Sequence, residues 1–244
     1  MIPRFHCPIP LSPGALVELP EAVAHHALKV LRMKSGDALV LFDGNGGEWR
    51  ATLKIGADRT ARALIGAFDD VERESPLSVT LAQALPAGDK MDWVVEKCVE
   101  LGVTAIQPVR AMRSVIRLSA ERMARRVAHW NAIAVAACEQ CGRNRVPQVL
   151  PVLDLPQYLA HAQEQNACRL LLAPQGENTL FTLARPQAPL TVLIGPEGGW
   201  DEGEIAAAHA AGFAAVRLGP RVLRTETAGA ALLAALQALW GDLA

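Results

Sequence analysis

The chain is poor in several things, and each scarcity removes a class of function. None of its 244 residues fall in an apolar run long enough to span a bilayer, so no membrane partner is expected. Met1-Ile2-Pro3-Arg4-Phe5-His6 shows no charged leader ahead of an apolar stretch, so no secretory signal is expected. The five cysteines (Cys7, Cys98, Cys138, Cys141 and Cys168) are odd in number and scattered. That argues against a disulfide framework and for reduced thiols in the cytoplasm. Cys138-Glu139-Gln140-Cys141 has C-x-x-C spacing, but it lies in a helical pattern without a second ligand pair. No metal or redox role is expected there. The formal net charge is −1, so nucleic-acid contacts must come from local basic patches. Neither G-x-G-x-x-G opening a helix nor G-x-x-x-x-G-K-[ST] is present, which excludes the common dinucleotide and P-loop phosphate cradles. Aromatics make up only 5% of residues while 51% are hydrophobic, so a real core must be packed largely from small and aliphatic side chains.

What stands out is a pair of glycine-rich loops in the last quarter of the chain. Thr191-Val192-Leu193-Ile194 leads into Gly195-Pro196-Glu197-Gly198-Gly199-Trp200, and Val216-Arg217-Leu218 into Gly219-Pro220-Arg221-Val222-Leu223-Arg224-Thr225-Glu226-Thr227. Each apolar run reads as a buried strand and each loop opens a helix, the geometry in which α/β proteins hold ligands. Gly198 and Gly199 lack a Cβ and so let a ligand lie against the backbone. Pro174-Gln175-Gly176, after a strand over residues 168–173, makes a third loop of the same kind.

The first part of the chain is β-rich. Strands are expected over residues 16–19, 38–42, 48–55 and 61–68, with the glycine turn 43–47 joining the middle pair as a hairpin. Short strands with glycine turns point to a small barrel. A short helix beginning at Pro20 carries His25, His26, Lys29 and Arg32. With Arg4, His6 and Lys34 these make one candidate phosphate-contacting patch. The charged segment 69–76, ending in Pro76, reads as a boundary, giving domains 1–72 and 73–244.

Beyond it strands and helices alternate, which implies a parallel sheet. Helices are expected over residues 89–101, ended by Gly102, over 119–141 and over 155–164. Arg110, Arg113, Arg117, Arg122, Arg125, Arg126, Arg143 and Arg145, against Glu121 and Glu139, form a second candidate RNA patch. Asp201 with Glu204 is a capping box, with Trp200 and Ile205 as its hydrophobic staple. The last helix, residues 228–240, is apolar nearly all round, so it is buried within the domain or against a second subunit.

Gly195-Pro196-Glu197-Gly198-Gly199-Trp200 and Leu218-Gly219-Pro220-Arg221-Val222-Leu223-Arg224-Thr225-Glu226-Thr227-Ala228 together resemble the RsmE family of 16S ribosomal RNA uridine-N3 methyltransferases, within the SPOUT superfamily. His25 to Asp37 is similar to that family's PUA-like segment. Glu96-Lys97-Cys98-Val99-Glu100-Leu101-Gly102-Val103 is similar to its K-x-x-E-L-G-V signature. Glu139-Gln140-Cys141-Gly142-Arg143, then Val146-Pro147, is similar to E-Q-S-G-R…V-P, with Cys141 in the serine's place. The resemblance covers the whole chain. It implies an α/β parallel-sheet domain with a C-terminal trefoil knot and a small N-terminal PUA-like β-barrel.

The resemblance also implies S-adenosylmethionine as cofactor, bound bent with its adenine among backbone groups. Leu172, Ala173 and Pro174, then Ile194, Gly195, Pro196, Glu197, Gly198 and Gly199, then Leu218, Gly219, Leu223, Arg224 and Thr225 would line its site. It implies methylation at N3 of a uridine in 16S rRNA by a cytoplasmic homodimer. That nitrogen is protonated at neutral pH, so a base or a stabiliser of the uracil anion is needed. Glu197 or Glu226 stands as base, Arg221 or Arg224 as stabiliser. Arg4, His25, Lys29, Arg32, Lys34, Lys90, Arg113 and Arg143 stand as RNA contacts. A SPOUT ribose 2′-O-methyltransferase and a non-catalytic RNA-binding assembly factor are the alternatives.

Overall fold

The computed structural model describes residues 2–114, 119–163 and 166–243. It divides into two compact units, residues 1–74 with 138–146, and residues 75–137 with 147–244. The expected boundary made no allowance for residues 138–146, which come from the middle of the second stretch yet pack with the first.

In the first unit β1 (Arg4–His6), β2 (Leu16–Glu18), β3 (Ala38–Phe42), β4 (Glu48–Ile55) and β5 (Ala61–Asp69) form one sheet in the order β1-β3-β4-β5-β2. The β3–β4 pair is the expected antiparallel hairpin. Phe5, Leu39, Leu41, Leu53, Ala63 and Ile65 from four of these strands share one core, so the sheet is wrapped as in a small barrel. After β2 comes α1 (Glu21–His25), which runs on as a π-helical turn, His26–Val30. The chain leaves that turn through Arg32, a non-glycine residue at φ 54°.

Residues 138–146 are tied into this unit by polar groups. The Arg143 guanidinium pairs with Glu74, and Arg145 with Glu72 at 2.9 Å. Arg4 pairs with Glu48 and donates to the Gly142 carbonyl at 3.2 Å and to Asn144 Oδ1 at 2.7 Å. The His6 amide donates to Glu139 at 2.9 Å. The Cys138 Sγ lies 3.6 Å from the Arg145 carbonyl, and burial pushes its thiol up to about 12, which is a packing environment rather than a reactive one.

The second unit alternates strands and helices: β6 (Val79–Ala84), α2 (Lys90–Glu100), β7 (Ala105–Arg110), α3 (Ala120–Cys141), β8 (Gln148–Val149), β9 (Leu153–Asp154), α4 (Leu155–Gln163), β10 (Cys168–Leu172), β11 (Asn178–Thr179), β12 (Leu190–Ile194), α5 (Glu202–Ala210), β13 (Ala214–Arg217) and α6 (Thr225–Trp240). Expected helix position 164 lies outside the described residues. The order is β11-β13-β10-β12-β6-β7-β8, with β9 also on β7, and every pairing is parallel. A parallel sheet covered on both faces needs apolar strands. β12 meets that need, since all five of its residues are buried. α2 ends as its sequence requires: Gly102, at φ 79°, follows the cap while the Val103 amide reaches back to the Cys98 carbonyl.

The end of the chain takes an unusual course. β13 is separated from β12 by β10, yet α6 begins beside β12 and β6. The Thr225 hydroxyl is bonded to the Gly195 carbonyl and accepts from Gln83 Nε2 at 3.0 Å. A Cβ on Gly229 would sit 3.5 Å from Leu81, so the helix needs a small residue to lie that close to β6. The last helix is therefore buried within its own unit, after crossing the ends of two strands. This is the course a knotted C-terminus takes, and no pattern of hydrophobicity predicts it.

Candidate active site

The carboxyl ends of β10, β12 and β13 open into one cavity of about 850 Å³. Parallel strands ending side by side leave a crevice there, and the three glycine- and proline-rich loops wall it. Leu172, Ile194, Leu218 and Leu223 give it an apolar slot. Gly219, at φ 66° with nothing within 4 Å of the place a Cβ would take, keeps the backbone bare on one side. A Cβ at Gly195 would stand 3.0 Å from the Trp200 ring. The indole packs there with Ile205 on the core under α5, while the capping box closes that helix: Asp201 accepts from the Gly203 amide at 3.0 Å and Glu204 from the Asp201 amide at 3.0 Å.

The charges around the cavity are of two kinds. The carboxylates are engaged. Glu197 accepts from the Ala87 amide at 2.9 Å and from Lys90 Nζ at 3.1 Å, and Lys90 also stands 3.3 Å from Glu226. Partial burial would raise the Glu197 carboxyl, but these bonds outweigh it and hold the carboxyl below its ordinary value. In return the hydrogen bond to Glu197, helped by Glu226, pushes the Lys90 ammonium up. The arginines are not engaged. Arg217, Arg221 and Arg224 line the cavity, are exposed, and among the described residues form no ion pair.

The expected cofactor residues fall on this wall with one exception. Leu172, Ala173, Pro174, Ile194, Gly195, Pro196, Glu197, Gly199, Leu218, Gly219, Leu223, Arg224 and Thr225 all line the cavity. Gly198 does not. A side chain there would meet Arg113 Cβ at 3.1 Å, because the Arg113 guanidinium reaches over to donate to the Gly198 carbonyl at 2.9 Å. Of the four residues expected to handle the proton, Glu197, Arg221 and Arg224 are on the wall. Glu226, on the first turn of α6, does not line the cavity.

The basic patches separate in the same way. His25, Lys29, Arg32 and Lys34 are exposed and in no ion pair among the described residues. Arg4 and Arg143 are not free phosphate ligands. Arg143 is only 5% exposed against Glu74, and Arg4 is held between Glu48 and the 138–146 segment. Lys90 is shared by two carboxylates, and Arg113 stands 3.5 Å from Asp201. The second patch is largely neutralised: Arg110 by Asp154 and Arg126 by Asp89, acids distant in sequence, and Arg125 by Glu121 one turn back on its own helix. Arg117 lies outside the described residues.

Thr179, Trp200, Arg217 and Ala228 also line the cavity and escaped the sequence reading of the site. Trp200, Arg217 and Ala228 sit beside or inside the quoted loops, so adjacency alone was a usable signal. Thr179 was not findable, since β11 is a two-residue strand that reaches the cavity only by pairing Thr179 with Arg217.

A model of the RNA methyltransferase domain matches residues 73–237, and a model of the RNA methyltransferase PUA domain matches residues 19–62. A ribosomal RNA small subunit methyltransferase E from Bacillus subtilis is 34% identical over 219 residues, 87% of this chain and 86% of that protein. The chain belongs to the ribosomal RNA small subunit methyltransferase E family. The Synechocystis member is 36% identical over 92% of this chain and 74% of its own length. Among solved structures, the Neisseria gonorrhoeae methyltransferase E bound to S-adenosyl methionine superimposes with a TM-score of 0.93 at 42% identity, covering 100% of both chains. A Legionella pneumophila methyltransferase in complex with the cofactor SAM gives 0.95 at 37% identity, again over 100% of both.

Proposed function

We propose that this protein methylates N3 of a uridine in 16S rRNA of the small ribosomal subunit, using S-adenosylmethionine. The observation that carries the proposal is the cavity at the ends of β10, β12 and β13, with its apolar slot, bare glycine backbone and unpaired arginines. Its volume, about 850 Å³, lies in the range of small-molecule sites. The lack of any phosphate cradle suits a cofactor without phosphate. Leu172, Ile194, Leu218 and Leu223 would hold the adenine, with loop amides and carbonyls along its edge. Bound there, the cofactor supplies an electrophilic methyl group on a sulfonium sulfur.

The chain's own part is to make uracil N3 a nucleophile. Its proton must leave, and the resulting charge is spread over the ring nitrogen and two oxygens. Glu197 is a poor acceptor for that proton, because its carboxyl is held low by Ala87 and Lys90. Glu226 is turned to the same lysine. Arg224, with no counter-ion among the described residues, is the group suited to stabilise the anion, and α6 adds the positive end of its dipole from Thr225 onward. The proton then passes to solvent. The target base must be unstacked to enter.

The unit expected over residues 1–72 serves as an RNA-holding domain, through His25, Lys29, Arg32 and Lys34 around the π-turn. The protein works in the cytoplasm, and as a homodimer, the association being supported by the exposed Leu239 and Leu243.

Labelled cofactor incubated with the protein and small-subunit RNA from a strain lacking the enzyme tests the function. N3-methyluridine on nucleoside analysis is the expected product. A 2′-O-methyl nucleoside would reassign the reaction, and no transfer despite cofactor binding would leave an assembly factor.

A further inference from the structure

One of the loops that wall the cavity, and the turn that follows β11 beside it, throw apolar side chains outward. Phe181 is 86% exposed and Val222 78% exposed, the two most exposed large apolar side chains among the described residues. Neither is on a frayed segment. Phe181 sits in the single 3-10 turn Leu180–Thr182, fastened by the Thr182 hydroxyl, which accepts from the Thr179 amide at 3.2 Å and donates to the Thr179 carbonyl at 2.8 Å. Leu180 beside it is 4% exposed, so the turn is anchored by one apolar residue and presents the next. Val222 lies between Arg221 and Leu223 in the loop that leads to α6, with Leu223 half-buried and Val222 out. Strand pairing brings the two loops to one edge of the cavity, because Thr179 stands opposite Arg217 and both line it.

That edge therefore carries two exposed apolar surfaces and two unpaired guanidiniums, Arg217 and Arg221. An exposed aromatic beside arginines suits single-stranded RNA, whose bases stack on such rings while the phosphates are neutralised. A second copy of this chain seated about a two-fold axis would instead bring the cationic patch against its own image.

We infer that Phe181, Arg217, Arg221 and Val222 form the seat for the RNA nucleotides that flank the target uridine. Arg217 and Arg221 take the phosphodiesters. Phe181 offers a ring for a neighbouring base, and Val222 an apolar tip to occupy the place in the stack that the target base vacates. The inference rests on the methyltransferase reading, and it adds to it a strand-gripping rim on the catalytic unit itself.

The test uses the full chain and a 16S rRNA fragment that the wild-type protein methylates, with RNA affinity measured across a salt series and cofactor affinity by calorimetry. Phe181→Ala and Val222→Ser each weaken RNA binding about tenfold, and Phe181→Ala leaves cofactor affinity unchanged. The double variant Arg217→Gln, Arg221→Gln lowers the salt slope by about two, and lysine at both positions restores it. Unchanged affinity and slope in the glutamine variant would overturn the seat. So would a shift of Phe181→Ala, Val222→Ser to monomer in sedimentation with RNA affinity intact, which would make this edge an interface between copies. A wild-type chain that transfers no methyl group to any small-subunit RNA overturns the functional reading, and the seat with it.

Discussion

Arginine is used in opposite ways in the two units. In the first, Arg4, Arg143 and Arg145 are bound by Glu48, Glu74 and Glu72, and they fasten residues 138–146 to the small sheet. In the second, Arg217, Arg221 and Arg224 stand at the cavity with no acid among the described residues to meet them, while the nearby carboxylates are held by Lys90. A desolvated, paired guanidinium is a structural tie whose loss leaves a buried charge alone. An exposed, unpaired one costs the fold almost nothing to remove and is available to an anionic ligand.

The largest effect should follow from breaking a tie in the first unit. Arg143→Ala should destabilise the protein by about 3–5 kcal/mol in denaturant unfolding, because Glu74 is left buried without its partner. Replacing both with apolar residues of similar size should recover most of that loss. Arg224→Ala should do the reverse, lowering kcat about a hundredfold or more while changing stability by less than about 0.5 kcal/mol. If Arg224→Ala unfolds the protein, or Arg143→Ala leaves stability intact, the contrast between the units fails.

Thr225→Val should cost about 1–3 kcal/mol, since it strips a buried partner from Gln83 and releases the Gly195 carbonyl. Calorimetry should show weaker cofactor binding in the same variant, because that hydroxyl joins two of the three loops. A smaller, pH-dependent effect is expected at Glu139. Burial raises its carboxyl above the ordinary 4.5, against opposing help from the His6 amide, His26 and Arg4. A raised carboxyl favours the folded state below 4.5 and loses that contribution as pH rises through the folded value. Glu139→Gln keeps the acceptor without the charge, so its melting temperature relative to wild type should increase from pH 4 to pH 7. A difference that stays flat with pH would remove the titration argument. The smallest effect belongs to Gly198→Ala. Its Cβ meets the Arg113 Cβ at 3.1 Å rather than the cavity, so the neighbour must give by a few tenths of an ångström and cofactor affinity should change by less than about threefold.

Much of the second unit was legible in advance because local chemistry and final position agree there. The buried β12 run, the Gly102 helix stop and the Asp201–Glu204 capping box are set by residues close in sequence. So are the loops after β10, β12 and β13. What was not legible depends on partners far apart in the chain. The sequence grouped Arg4 and Arg143 with phosphate ligands because Glu48 and Glu74 are 44 and 69 residues away from them. It counted the arginines of residues 110–145 as a basic patch because Asp154, Asp89, Glu72 and Glu74 lie outside the run or before it. It missed Thr179 because only β-pairing with Arg217 brings it to the cavity. The Arg113 contact at Gly198 was hidden for the same reason, since the two are 85 residues apart.

The central claim, that this site works by stabilising the uracil anion with an unpaired arginine rather than by a carboxylate base, is tested most directly by the pH dependence of a single methyl-transfer turnover. Wild type and the double variant Glu197→Gln, Glu226→Gln would be compared from about pH 6 to about pH 8.5, at saturating cofactor and RNA. The predicted result is the same climb in both, about tenfold per pH unit until the N3 proton is lost in solution. A wild-type rate that is flat across this range, together with its collapse in the glutamine variant, would contradict it and return the proton to a glutamate.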